Sequence, residues 1–357
     1  MNTAFFLGAN TPQGFASYYD QWLDLRRLNR LYIIKGTPGN GKSGFMRRVA
    51  GRLAEKGYGN ELILCSSDPK SLDGVYFPEL GVAFADGTAP HVMEPRYPLA
   101  VECYLPLTQF VNDAALARER GAVILLRDGL QGDYARLSRV LTAVRSLRDE
   151  QRAIVSGGAA LDTIRRRARG VLRREVRKGT GGVLRKRFLS APAPEGGVVL
   201  WDTVQTLADK VYELQDSYGQ AHELLAPVLE AALEAGQEVI ACYDPCAPFT
   251  RLAHLILPGL RLAFVSATAK EPYPGEIYRR VRLDAAIPRE TAHQNRLRLR
   301  FLRKTEAALT QDAREILARA SEKHVQLEEL YNPHVDFAGV RALADAYADK
   351  VLLDRAE

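Results

Sequence analysis

An α/β fold built twice along the chain is the architecture this sequence predicts, and three observations predict it. Short apolar strands alternate with amphipathic helices early in each half, the pattern of a sheet covered by helices. Segments recur in the same order about 180 residues further on. Strand character then fades in each half, near 111–176 and 290–351, into long helical patterns. With 357 residues, 46% hydrophobic and 26% charged, the chain can build two cores of ordinary size.

The elements follow in order. A short strand is expected at 5–7 and a helix around 16–28. "LYIIK" at 31–35 is apolar along most of its length, as a buried parallel strand should be. After a glycine-rich turn, 43–56 reads as a helix. Phe45, Met46, Val49 and Leu53 share one face, Arg47, Arg48 and Arg52 lie on the other, and Gly57 is the stop signal. Further strands are expected at 61–65, 82–85 and 101–105. The expectation is a parallel, three-layer α/β sheet domain, duplicated, each copy followed by a helical hairpin.

The repeat rests on four anchors. "PELGVAFADGTA" from Pro78 lines up with "PGLRLAFVSATA" from Pro258. "FLGANTPQG" from Phe6 matches "FLSAPAPEG" from Phe188. "VAGRLAEKG" meets "VLEAALEAG", and "ELILCSSDP" meets "EVIACYDP". Order and spacing agree with small gaps, so the chain divides into copies at 1–183 and 184–357.

Chemistry concentrates in "GTPGNGKS", residues 36–43. A polyphosphate needs several N–H donors converging on it, and glycine-rich backbone provides them because no Cβ blocks the approach. The following helix adds the positive end of its dipole. Gly36, Gly39, Asn40 and Gly41 would shape the nest, Lys42 would reach the outer phosphates, and Ser43 would offer its hydroxyl to Mg²⁺. Asp86 ends a buried apolar strand, where a carboxylate could hold the metal's hydration shell. The bland alternatives are an ordinary Gly/Pro turn and a strand ending in a polar residue.

The second copy sharpens the choice. Opposite the loop stands "QDSYGQAHE", residues 215–223, or a neighbouring register, with no Gly-Lys-Ser. Opposite Asp86 is Ser266, opposite Asp73 is Ala253, and His91 and Arg96 have no clear counterpart. Pro78, Leu80, Phe84 and Thr88 persist as Pro258, Leu260, Phe264 and Thr268. Core positions are held in place because cavities cost about 2–5 kcal/mol each, whereas released site groups drift. Asp73, His91 and Arg96 therefore join Lys42 and Asp86 as catalytic candidates. Asp68 persists as Asp244, which favours turn capping. No Glu follows Asp86, so a water-activating base is absent from that position.

Charge is uneven. The net charge is +6, yet eleven Lys or Arg fall between Arg165 and Arg187 against the single acid Glu175, with a second basic run at 296–304. These are either solvated helix faces or a contact surface for nucleic acid or another polyanion. No apolar run approaches the ~18 residues a membrane helix needs. The opening "MNTAFFLGANTPQG" does not read as a secretory leader. Four cysteines without zinc spacing fit neither a metal site nor a disulfide framework, and a cytoplasmic protein is expected.

The 36–43 stretch resembles the Walker A motif of P-loop NTPases. Together with "CSSDPKSLDGV", "PELGVAFADGTAPH" and "EPRYP", it is similar to a family of bacterial proteins of tandem P-loop architecture, found mainly among spore-forming Firmicutes. That resemblance implies ATP binding and, in the family, a loop in either half. The expectation is a Mg²⁺-dependent ATP-binding ATPase with one site in the first half and a silent second half. A phosphotransferase with Asp73 or Asp68 as base is one alternative. A nucleic-acid-associated nucleotide switch is the other.

Overall fold

The computed structural model describes residues 2–194 and 196–354. Two six-stranded sheets carry the fold. The first contains β1 (Thr3–Phe5), β2 (Arg30–Lys35), β3 (Glu61–Leu64), β4 (Leu72–Phe77), β5 (Val82–Asp86) and β6 (Glu102–Pro106) in the order β1-β3-β4-β5-β2-β6. The second contains β7 (Val183–Arg187), β8 (Lys210–Gln215), β9 (Glu238–Tyr243), β10 (Leu252–Leu257), β11 (Leu262–Ala267) and β12 (Arg279–Arg282) in the order β7-β9-β10-β11-β8-β12. The orders are identical, and even the irregularity recurs. The β3–β4 ladder shifts register at Ile63/Leu64 and the β9–β10 ladder at Cys242/Tyr243.

Both sheets are mixed, which corrects the parallel expectation. β4 runs antiparallel to β3 and β5, and β10 does the same in the second sheet. The connections either side of β4 are too short for the crossover that parallel neighbours require. The helix expected around 16–28 is also absent. A ribbon of Gly8–Thr11 and Gly14–Ser17 stands there, turning at Gly14 with φ 96°, and is followed by a single 3₁₀ turn.

One face of each sheet is covered by helices. α1 (Lys42–Glu55) lies on the first, burying the predicted Phe45, Met46, Val49 and Leu53 with Tyr32, Ile34 and Phe84. The opposite faces of the two sheets share a central core of Phe5, Phe6, Ile33, Phe188, Ile240 and Val265. The three-layer expectation is therefore replaced by a helix–sheet–sheet–helix arrangement. At its centre the repeat-equivalent residues Phe6 and Phe188 exchange both backbone hydrogen bonds (3.0 and 2.9 Å), as residues at a two-fold seam do.

The long helices are exchanged between halves. α2 (Arg120–Val155) pairs with α5 (Arg296–Tyr331), α3 (Gly158–Glu175) packs on α4 (Ala221–Glu234), and α6 (Phe337–Leu353) packs on α1. The expected hairpins are thus not folded back on their own copies. α6 supplies Val340, Ala344, Ala348 and Val351 to the first core, and α3 supplies Ile164, Ala168 and Val171 to the second. The α2–α5 pair is antiparallel, with Lys323–Asp133, Arg136–Asp312 and Arg298–Glu150 closing its rungs. No helix among the described residues is long and apolar enough to cross a membrane.

Candidate functional site

β2 ends at Lys35, and the chain turns through residues 36–41 into α1. Gly39 (φ 66°) and Gly41 (φ 87°, the N-cap of α1) adopt left-handed conformations that side chains resist. Asn40 is buried, and its amide braces the turn against the C=O and N–H of Thr37 (3.0 and 3.3 Å). Among the described residues, no protein acceptor meets the N–H groups of Gly39, Gly41, Lys42, Ser43 or Gly44. The Thr37 hydroxyl is buried without a partner as well. These donors sit at the positive end of α1, an arrangement suited to an anion.

The Lys42 ammonium folds back over the turn, donating to the Thr37 carbonyl at 2.7 Å, and lies 3.7 Å from Asp86 Oδ2. Both side chains are nearly buried, so the pair is weakly screened. Asp86 is fixed by the N–H and hydroxyl of Thr88 (2.9 and 2.6 Å). Ser43 Oγ accepts from Leu72 N–H at 2.9 Å, tying α1 to the start of β4. Next to it, Asp73 Oδ2 is 3.4 Å from His91 Nε2, while His91 Nδ1 is 3.0 Å from the Asp86 carbonyl. Burial lowers the His91 pKa, but the hydrogen bond to Asp73 and the charges of Asp73 and Asp86 outweigh it, and the net shift is upward.

Lys42, Ser43, Asp86, Asp73 and His91 are therefore brought together. Arg96 is not: its exposed guanidinium pairs with Asp20 at 3.6 Å, and no bond joins it to residues 36–43. Asp68 caps its own turn, accepting from Lys70 N–H. Among the described residues, no cluster of three or more His, Cys, Asp and Glu could hold a metal by itself. A Mg²⁺ ion at Ser43 and Asp86 would complete its shell with phosphate oxygens and water, which is its habit.

The second loop shows what became of the same nest. Counted from the ends of β2 and β8, Gly219 (φ 72°) stands where Gly39 does and Asp216 where Gly36 does, and the second loop enters its helix one residue sooner. The Asp216 carboxylate is folded into its own loop. It accepts from Gln220 N–H (2.8 Å), Ala221 N–H (2.6 Å) and Tyr218 N–H (3.2 Å). A carboxylate thus occupies the place an anion would take. Gly36 has no side chain to do so, and a Cβ there would press on the Asn40 amide, which would have to turn aside.

Each loop is covered by the end of a long helix. Over the first loop, a Cβ on Gly39 would lie 3.1 Å from Glu328 Cα, and the Asn332 amide donates to the Gly39 carbonyl at 2.8 Å. A hydrogen bond from His324, reinforced by the charges of His324 and Lys42, holds the Glu328 carboxyl below its usual range. Over the second loop, Arg152 stands near Gly219, and Gln220 reaches Ser156 at 3.3 Å. Beside the first loop, Gly41, Gly44, Phe45, Arg48, Phe337 and Arg341 line a cavity of about 290 Å³. Glu328, Asn332 and Phe337 escaped the sequence reading because they belong to the other half. No signal in the single sequence links them to Gly39.

Comparison with known proteins adds nothing to this geometry: no family model, no curated protein and no solved structure matches the chain.

Proposed function

We propose that the chain is a P-loop-type ATPase, binding Mg²⁺·ATP at residues 36–43 with its second half silent. The observation that carries the reading is the contrast between an amide nest left unpartnered and its twin filled by Asp216. Converging backbone N–H groups at the positive end of a helix form a site that an anion completes. The amides of residues 39–44 would bind the phosphates, and Lys42 would move from the Thr37 carbonyl to the outer phosphate. Ser43 and Asp86 would hold the ion's shell. Bound Mg²⁺ would supply charge neutralisation on the transferring phosphoryl group.

Glu328 fills the role missing after Asp86. Its backbone packs against Gly39 at the outer turn of the loop, and its carboxylate is held anionic, as a group that accepts a proton from water must be. The base would then come from the opposite half, and turnover would depend on the seating of α5.

Calorimetric titration with ATP and Mg²⁺ tests the reading. Lys42→Ala removes a charge-assisted contact worth about 3 kcal/mol, so affinity should fall about a hundredfold. Equal affinity in the two proteins would end the proposal.

A further inference from the structure

The helices that close the two halves have opposite characters. α6 carries Arg341 and Lys350 against Asp345 and Asp349, and those two acids pair with Arg48 and Arg52 of α1. α3 occupies the corresponding place on the other half. It exposes Arg165, Arg166, Arg169, Arg173 and Arg174, continued by Arg177 and Lys178. Among the described residues, none of these seven makes an ion pair. The acid within the run, Glu175, turns inward to Tyr212 (2.6 Å) and Lys210 (3.6 Å).

Arg167 reaches from α3 to the Arg282 carbonyl of the edge strand β12 at 2.5 Å, and Arg282 is exposed there. Burial and the neighbouring cations Arg166 and Arg282 push the Arg167 pKa down, so like charges are crowded here. The far end of the basic stretch behaves differently. Arg187 is wholly buried against Glu61 at 2.9 Å, which removes it from the expected contact surface. Since α6 closes an equivalent core without such a surplus, the fold does not require it.

We infer that the exposed face of α3, with the neighbouring end of β12, is a docking surface for the phosphate backbone of duplex DNA. Three observations favour that occupant. Arg165, Arg169 and Arg173 recur every fourth residue, a straight row with steps of about 6 Å along the axis, suited to a stiff, regularly charged polyanion. α3 bears no aromatic residue, whereas single strands are held by stacking platforms. Its apolar stripe, Ile164, Ala168 and Val171, is spent on α4, so no apolar face is left to enter a membrane. Recognition would be of backbone charge, without base readout. None of this depends on the nucleotide reading.

Fluorescence anisotropy with a labelled DNA duplex of about twenty base pairs tests it, using the full chain across a salt series. The expected result is binding at low salt that weakens steeply as salt rises. Replacing Arg165, Arg166, Arg169 and Arg173 together by Glu should cost at least about a hundredfold, and replacing them by Gln should reduce the salt slope. Unchanged melting temperatures would show that the variants fold, because the side chains are exposed. Absence of binding at low salt, equal binding by the variants, or tighter binding to a single strand or to anionic vesicles would each overturn the inference.

Discussion

Residues 36–41 and 216–220 leave equivalent strands, turn at an equivalent left-handed glycine, and enter equivalent helices, the second one residue sooner. Gly36 against Asp216 is the difference that governs their chemistry. In the second loop the carboxylate gathers three backbone N–H groups, and the turn is complete by itself. In the first, Pro38 stands at the place of Tyr218 and has no N–H to offer, while among the described residues the N–H groups of Gly41 and Lys42 have no protein acceptor. An amide nest follows from the backbone path, so it outlives the ligand it serves. On the proposed reading the second loop binds no phosphate, and the Asp216 carboxylate takes N–H groups of the turn instead.

The covering helices differ as well. Glu328 faces the loop that holds Lys42, and Arg152 faces the loop that holds Asp216. The Lys42 charge helps to hold the Glu328 carboxyl low, whereas Arg152 is ion-paired with Asp149 of its own helix.

Removing the plug should have the largest effect on stability. Asp216→Ala strands three donors, two of them buried, and is expected to cost about 2–4 kcal/mol in denaturant unfolding. A loss under ~1 kcal/mol would mean that the carboxylate is incidental. Asp216→Asn, which keeps an acceptor, should recover much of it.

Acid offers a second way to separate the halves. His254 in β10 replaces Gly74 of β4, and full burial pushes its pKa down to about 4. Below about pH 6.5 the unfolded chain takes up a proton that the folded chain refuses until about pH 4. Stability from this residue is therefore present above pH 6.5, and about 3 kcal/mol of it is lost between those values. His91, with its raised pKa, has the opposite sense: its contribution is whole below pH 6.5 and fades as pH rises through its higher folded value. Unfolding of His254→Leu should lose this residue's share of the acid sensitivity between about pH 6.5 and pH 4. A pH profile identical to the wild type would contradict this assignment.

The smallest effect concerns the cover. Glu328→Gln removes a negative charge near Lys42, so ATP affinity should rise about two- to fivefold while turnover falls. Turnover that rises in step with affinity would show that Glu328 only shields the loop.

Much of this comparison was legible in the sequence. The strand, turn and helix around Gly36–Ser43 carry strong local signals, from the apolar run of β2 to the left-handed stop at Gly57 (φ 88°). Asp86 and Asp73 emerged because their counterparts had changed while Phe84 and Phe264 had not. The antiparallel β4 was missed, although the short link from Leu64 to Leu72 leaves no room for a crossover. The exchange of helices was not readable at all. The stripe of Val340, Ala344 and Ala348 says that α6 must be buried, but not against which sheet. Glu328 and Asn332 were hidden for the same reason, since a single sequence gives them no link to Gly39.

Gly36→Asp writes the second loop's solution into the first, and calorimetric titration of this variant with Mg²⁺·ATP probes the contrast most directly. The wild type should bind one nucleotide per chain. The variant should bind none measurably, its nest taken by the new carboxylate, while unfolding shows an intact fold. Two nucleotides per wild-type chain, or undiminished binding by a folded Gly36→Asp protein, would contradict the claim that one open nest and one plugged nest define this molecule.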